Sequence, residues 1–221
     1  MSLVIRSLLS LLVFTVAYMS TTLVSTRLSY DIPRSYVHQV VGMSSDSQQG
    51  PSGSAVVLAP GLMITAAHVV DHPSFKFYIN GKPVEVLKLD RDRDLALLKV
   101  DVGCPCAPLA SDSPYMDEEV VAIGYPLGYP QTLTEGRWQY FLQDGEVVST
   151  TSIAFGNSGG GLFHFNWLSF KWELVGVTNQ VPGANLGFCG IPVFTITRSV
   201  PVESILYFIH HSVKVESGQS Q

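Results

Sequence analysis

The sequence FGNSGGGLF at residues 155–163 sets one serine among four glycines, with large apolar residues on both flanks. Glycine allows backbone conformations with positive φ and lets another chain segment approach closely. Such a turn can hold the hydroxyl of Ser158 at the surface and direct backbone N–H groups toward one point, as an acyl-transfer nucleophile with an oxyanion hole requires. A glycine-rich hairpin turn with an incidental serine is the alternative, because short motifs often match by chance. The residues upstream have to decide between the two.

A nucleophilic serine needs a base that accepts its proton and a third group that orients this base. Of the six histidines, His68 is the strongest candidate, since it follows an apolar strand and lies among the small residues of the sequence TAAH. A histidine that is merely packed beside the strand is the alternative. His72 competes for the role, but it precedes a proline in a loop and is predicted to be solvated.

The candidates for the orienting carboxylate lie in a charged loop and are Asp90, Asp92 and Asp94. Asp94 directly precedes the apolar strand at residues 95–100, so it is the carboxylate that we expect to be partly buried. Asp90 and Asp92 are predicted to lie in a solvated turn. The order His68, Asp94, Ser158 along the chain also argues against an α/β-hydrolase esterase, whose triad runs serine, acid, histidine.

The composition restricts the class of protein. The chain has 221 residues, of which 46% are hydrophobic and 14% charged, so it can bury a large core and is not of a disordered type. The formal net charge of -5 argues against a nucleic-acid-binding protein, which normally carries a basic patch. The 19 glycines and 13 prolines show no regular spacing, as is typical of many short strands and tight turns.

The three cysteines are Cys104, Cys106 and Cys189. A single proline separates the first two, and no second Cys/His pair matches them, so no zinc site is predicted. No other metal or cofactor is expected either. A disulfide from Cys189 to Cys104 or Cys106 is left open.

The first 24 residues carry Arg6 and then an apolar core of about a dozen residues, the pattern of a secretory signal. We therefore expect an exported (periplasmic or secreted) protein, with an uncleaved membrane anchor left open because a span needs about 20 apolar residues. A polar linker is predicted at residues 25–35 and a polar tail at residues 213–221.

Short apolar runs separated by turn signals predict an all-β fold in two halves, at residues 36–112 and 113–212. The sequence Asn80-Gly81 predicts a tight hairpin between residues 75–79 and 84–89. Near the end, a last strand is predicted at residues 190–196. Apolar residues with helical spacing then predict a short helix at residues 202–211.

Five blocks follow one another along the chain: GSA at 53–55, TAAHVV at 65–70, DLALLKV at 94–100, VVAIGYPLG at 120–128 and GNSGG at 156–160. In this order they resemble the trypsin-like serine proteases, and most closely the HtrA-like (high-temperature-requirement) family. The resemblance covers about residues 53 to 192. It implies two antiparallel six-stranded β-barrels, with the active site in the cleft between them and a short C-terminal helix.

By this resemblance, Ser158 attacks the scissile carbonyl, His68 is the general base and Asp94 orients the imidazole. The oxyanion hole would use the backbone N–H groups of Gly156 and Ser158. The substrate would be a polypeptide, extended along the segment from Val175 to Asn179, with Val175, Gly176 and Val177 as substrate-binding residues.

The resemblance also has departures. Asn157 stands where digestive enzymes have an aspartate, so no zymogen activation of their kind is expected. Ser152 stands at the floor of the specificity pocket, so a small or medium apolar P1 side chain is expected, because no carboxylate is there to pair with Arg or Lys. Phe155 and Gly161 are unusual for the family and leave open whether the loop is ready for catalysis.

Other features of the resembling family are not implied for this chain. About 30 residues follow Gly190, too few for the PDZ domain that is common there. A trimer and membrane association through the N-terminus are left open. The rival class is a catalytically inert binding module with a trypsin-like fold, which the presence of all three candidate triad residues disfavours.

Overall fold

The computed structural model describes residues 10–15, 29–180 and 196–216, and within these ranges the chain forms two antiparallel β-sheets. The first sheet contains β1 (Val37–Met43), β2 (Gln49–Ala59), β3 (Leu62–Thr65), β4 (Lys76–Ile79), β5 (Lys82–Pro83), β6 (Glu85–Asp90) and β7 (Leu95–Lys99). Its strand order is β5-β4-β1-β2-β3-β7-β6. The predicted all-β class is confirmed, with seven strands in this half rather than six.

The second sheet is a closed barrel of six strands, as predicted. It contains β8 (Glu119–Gly124), β9 (Thr132–Phe141), β10 (Val147–Ser149), β11 (Gly161–Asn166), β12 (Lys171–Gln180) and β13 (Thr197–Pro201). The order around the barrel is β10-β13-β12-β11-β8-β9. The connection between the sheets contacts both, since Ala107 N–H donates to Val57 O at 2.8 Å and Pro108 O accepts from Leu174 N–H at 2.7 Å.

Side chains on the central strands alternate between two apolar clusters, as the two-residue period of a strand requires. On β7, Leu98 points into a cluster of first-half residues, whereas Leu97 joins a cluster that both halves share. On β8, Val120 points into the second barrel, whereas Val121 joins the shared cluster. Both faces of these strands are therefore buried, which explains why they read as continuous apolar runs rather than as alternating ones.

The Asn80–Gly81 turn forms as predicted, with both residues at positive φ (52° and 74°). Its second strand is the two-residue β5, which pairs with β4 through Ile79 and Lys82. The chain then leaves β4, and β6 pairs with β7 instead. The predicted partner strand of this hairpin was therefore wrong.

The predicted strand at residues 190–196 lies almost wholly outside the described residues, and the strand seen near it is β13. The C-terminal helix spans Val202–Glu216, with Ile205 and Phe208 buried. Shorter helical turns lie at Asp31–Arg34, Ala67–Val70 and Pro126–Gly128.

Residues 10–15 are helical, and most of the other residues of the predicted signal segment lie outside the described ranges. In the described parts of the chain, no helix is both long and apolar enough to cross a membrane. Cys104 and Cys106 form a disulfide with each other, whereas Cys189 lies outside the described residues. Because Cys104 and Cys106 pair with each other, neither of them forms the bridge to Cys189 that the sequence left open.

Candidate active site

His68 and Asp94 lie at the ends of neighbouring first-sheet strands. His68 belongs to the helical turn that follows β3, and Asp94 ends the turn between β6 and β7. The His68 Nδ1 atom lies 2.7 Å from Asp94 Oδ2, and the His68 backbone N–H donates to Asp94 Oδ1 at 2.9 Å. Two contacts from one carboxylate fix both the position and the tilt of the imidazole. The ring is 47% exposed, so its Nε2 edge can be reached from outside.

The serine loop lies against these elements because glycines allow the close approach. Gly159 has a φ of +81°, and a Cβ there would overlap Ser54 O and Thr65 Oγ1. Gly156 has a φ of +94°, and a Cβ there would lie 2.5 Å from Tyr125 O. Both positions therefore require glycine, which is the physical basis of the GNSGG spacing.

The buried Ser54 on β2 ties the serine loop to both halves, a role that the sequence analysis did not assign. Its backbone N–H donates to Ser158 O at 2.8 Å, and its hydroxyl donates to Gly156 O at 2.8 Å. The same hydroxyl accepts the N–H of Tyr125 at 2.9 Å. The signal in the sequence was a small polar residue at the start of an apolar strand, in the sequence GSAVV.

The hydroxyl of Ser158 donates to Asn179 O on β12 at 3.0 Å. Among the described residues, no hydrogen bond joins this hydroxyl to His68. The structure therefore brings the histidine and the aspartate into contact and packs the serine loop against Ser54 and Thr65 of the same sheet, with the serine proton directed at a backbone carbonyl.

The two predicted oxyanion-hole donors are free within the described parts of the chain, where the backbone N–H groups of Gly156 and Ser158 donate to no protein acceptor. The intervening N–H of Asn157 donates to Ala154 O at 3.0 Å, which closes the turn. The Asn157 side chain is buried, and its Oδ1 has no partner in the same ranges. Free N–H groups on both sides of a closed turn are what an oxyanion site needs.

The strand Val175-Gly176-Val177, predicted to pair with substrate, is paired on both sides at two of its residues. Gly176 faces Leu162 of β11 and Pro201 of β13, and Val177 faces Gly161 and Val200. These two residues offer no free edge to a substrate strand, whereas Val175 falls at the irregularity of the ladder between β11 and β12. The ladder between β12 and β13 becomes irregular at Thr178–Gln180, and this is also where Asn179 O meets Ser158.

Ser152, predicted at the pocket floor, is exposed, and its carbonyl accepts the hydroxyl of Thr134 at 2.7 Å. No described group of His, Cys, Asp and Glu side chains could hold a metal ion.

Asn179 is itself held by a charged network that sequence reasoning missed. Its side-chain amide donates to the carboxylate of Glu146, which also pairs with Arg198 of β13. The N–H of Glu146 and then the nearby Arg198 hold the pKa of Asp144 below its usual range. Residues distant in the sequence meet here only because β10 lies next to β13.

The model of the trypsin-like peptidase domain family matches residues 53–177. A probable periplasmic serine endoprotease, DegP-like, of Ectopseudomonas mendocina is 32% identical over 175 residues, covering 73% of this chain and 35% of that protein. The mitochondrial serine protease HTRA2 of Drosophila pseudoobscura is 27% identical, covering 74% of this chain and 39% of that protein. The chain thus spans well under half the length of these relatives.

The fold matches solved structures as well. A serine endoprotease from Yersinia pestis superposes with a TM-score of 0.68 at 22% identity, covering 84% of this chain and 67% of that one. The Rv3671c protease from M. tuberculosis, in its active form, gives a TM-score of 0.65 at 20% identity, covering 82% of each chain. With the family match over residues 53–177, the chain belongs to the trypsin-like peptidase domain family.

Proposed function

We propose that the chain is a serine endopeptidase that hydrolyses peptide bonds through an acyl-enzyme at Ser158. The observation that carries the proposal is the 2.7 Å contact between His68 Nδ1 and Asp94 Oδ2 at the sheet against which the serine loop packs. A carboxylate on Nδ1 fixes the tautomer that leaves Nε2 able to accept a proton, which is the requirement for a general base.

In the proposed mechanism, the Ser158 hydroxyl turns from Asn179 O to His68 Nε2 when substrate binds. Oγ then forms a bond to the scissile carbonyl carbon while its proton moves to His68, and Asp94 stabilises the imidazolium. The N–H groups of Gly156 and Ser158 donate to the developing oxyanion. His68 next gives the proton to the leaving amine, and a water molecule, activated by the same histidine, releases the acid product.

The substrate is proposed to be a polypeptide with a small or medium apolar P1 residue. This P1 preference is supported by the residue type at position 152, because a serine there offers no carboxylate that could pair with a basic side chain. Asn179 O would be released by the turning serine and could then accept a substrate backbone N–H. Because the relatives include probable periplasmic proteases, we also propose an exported location.

The test is covalent labelling with a fluorophosphonate probe together with cleavage of a fluorogenic peptide that has valine at P1. We expect the wild type to be labelled, and Ser158→Ala and His68→Ala to lose labelling and cleavage. The exposed His72 provides the matched control, and His72→Ala should behave as the wild type. Labelling that persists in Ser158→Ala, or that depends on His72 rather than His68, refutes the assignment.

One observation favours an inert binding module as the second candidate, namely that Ser158 donates to Asn179 O and not to His68. An inert module predicts that peptides bind to wild type and to Ser158→Ala with equal affinity, while the wild type takes up no probe even at long exposure. Turnover of the valine peptide excludes it.

A further inference from the structure

The candidate base and its orienting acid sit on two separate short segments. His68 lies in the turn Ala67–Val70, and Asp94 lies at the end of the turn that follows β6. Asp94 has a φ of +53°, a left-handed conformation that residues other than glycine adopt rarely. The contact between His68 and Asp94 therefore depends on how firmly the Asp94 turn is held against the His68 turn.

A two-pronged ion pair connects these two segments. Arg91 Nε donates to Asp71 Oδ2 at 2.6 Å, and Arg91 Nη2 donates to Asp71 Oδ1 at 2.8 Å. Asp71 directly follows the His68 turn, and its backbone N–H donates to Ala67 O at 2.9 Å. Arg91 stands three residues before Asp94. The planar guanidinium and the carboxylate match in both distance and direction, so the pair fixes orientation as well as separation.

The other side of the Asp94 turn is held by Arg93. Its backbone N–H donates to Asp90 Oδ1 at 3.0 Å, and its Nη1 donates to Asp90 Oδ2 at 2.8 Å. Its guanidinium also lies 4.6 Å from the ring centre of Tyr207 on the C-terminal helix. Arg91 and Arg93 thus reach in different directions, and of the two only Arg91 reaches the segment that carries His68.

We infer that the Arg91–Asp71 pair is a positioning clamp that keeps Asp94 aligned with His68, an inference that rests on the proposed peptidase function. The Arg91 side chain is 72% exposed, and exposed ion pairs contribute little to stability. Loss of the pair should therefore change the free energy of unfolding only slightly. Misplacement of a catalytic group by about 1 Å, in contrast, can lower the reaction rate on the order of 100-fold. The hydrogen bonds from Arg91 also lower the pKa of Asp71, so the pair stays ionised in neutral solution.

The first experiment measures the rate at which a fluorophosphonate acylates Ser158, together with kcat and KM on the valine peptide. Arg91→Ala and Asp71→Ala should each lower kcat and the acylation rate by about 10-fold with KM unchanged, and Arg91→Lys should lower them less, because an ammonium keeps the charge but not the two-pronged geometry. The exchange Asp71→Arg with Arg91→Asp should recover most of the loss. Lys82→Ala breaks a comparable exposed pair with Asp101 and should change nothing.

The clamp is overturned if the single variants change acylation less than about twofold, if the exchange is no better than the single variants, or if Lys82→Ala has the same effect. A second readout does not need catalysis. In the Ser158→Ala background, the proton resonance of His68 Nδ1–H should lie far downfield in the Asp94 hydrogen bond and should weaken or move upfield in Arg91→Ala. If the wild type takes up no probe, the peptidase proposal fails. The His68 Nδ1–H resonance still tests the clamp, because an unchanged resonance in Arg91→Ala would overturn it.

Discussion

Gly156 is a residue at which the geometry of the serine loop is tightly constrained, and its backbone N–H is a candidate oxyanion donor. Its φ is +94°, and a Cβ would lie 2.5 Å from Tyr125 O and 2.9 Å from Leu127 N. Gly156→Ala must therefore move the loop or the peptide that carries the candidate oxyanion donor. We expect the acylation rate to fall by about 100- to 1000-fold, as for loss of one oxyanion donor, and the free energy of unfolding to fall by roughly 1–3 kcal/mol, as for residues forced into such backbone regions.

Gly145 supplies the control for this prediction. It also has positive φ, at +85°, but a Cβ there would meet nothing within 4 Å. Gly145→Ala should therefore lose some stability from backbone strain alone and keep the wild-type acylation rate. Both rates are measured with the fluorophosphonate and the stabilities by urea unfolding. Equal acylation rates in wild type and Gly156→Ala would show that Gly156 has no part in the oxyanion site.

Tyr30 gives a prediction for the alkaline range. Burial, followed by the hydrogen bond to Glu135, raises the pKa of Tyr30 to about 12. Because the folded pKa lies above the ordinary value of about 10, this phenol contributes stability that is complete below pH 10 and is lost as the pH rises through 12. The difference in phenolate absorbance between wild type and Tyr30→Phe should show this titration. A Tyr30 midpoint near 10 would contradict the prediction, and Glu135→Gln should move the midpoint downward.

For single residues, the sequence predicted which side chains belong to the candidate site but not which partner each of them contacts. His68, Asp94 and the GNSGG loop could be found because each belongs to a short contiguous motif. The partner of the Ser158 hydroxyl could not, because Asn179 follows it by 21 residues and comes close only through the pairing of β11 with β12. Ser54 was missed for the same reason, since its partners lie on two distant segments, the serine loop and the turn at Tyr125.

Among the elements, the C-terminal helix shows that an amphipathic pattern decides which face of a helix is buried. Its buried face includes Ile205 and Phe208, while Leu206 is 38% exposed. Phe208→Ala should lower the free energy of unfolding by about 3–5 kcal/mol, because it removes a fully buried ring. Leu206→Ala should cost much less. Urea unfolding followed by far-UV circular dichroism measures both, and equal losses would mean that the helix does not pack through this face.

The hairpin at Asn80–Gly81 marks the limit of local prediction at the level of elements. The turn type was readable because two adjacent residues with positive φ favour Asn-Gly. The pairing of β6 was not, because it depends on a strand outside the hairpin: β6 pairs with β7 at five positions, and only the short β5 pairs with β4. The substrate strand assigned to Val175–Val177 stays a prediction, and two neighbouring strands already pair with Gly176 and Val177.

For the whole molecule, the decisive feature is the apolar cluster that both halves share. It includes Leu97 of the first sheet and Val121 and Phe163 of the second, and the rings of Tyr36 and Phe163 lie 5.9 Å apart across the boundary. His68 belongs to the first half and the serine loop to the second, so this packing contributes to their relative position together with the hydrogen bonds of Ser54. The composition predicted a large core. It could not predict which side chains of a strand point into the cluster of their own half and which join the shared cluster, because that depends on the order in which the strands pair.

A shared cluster of this kind predicts that the two halves unfold together. Ile79 belongs to a cluster made of first-half residues, whereas Trp138, Trp167 and Trp172 all lie in the second half. Ile79→Ala should cost about 2–5 kcal/mol, and tryptophan fluorescence should report the full loss although no tryptophan lies in that half. Hydrogen exchange of the amides of β3 should give the same free energy. If the tryptophan transition of Ile79→Ala coincides with that of the wild type while the β3 amides exchange faster, the halves unfold independently, and the cleft between them cannot owe its geometry to the shared cluster.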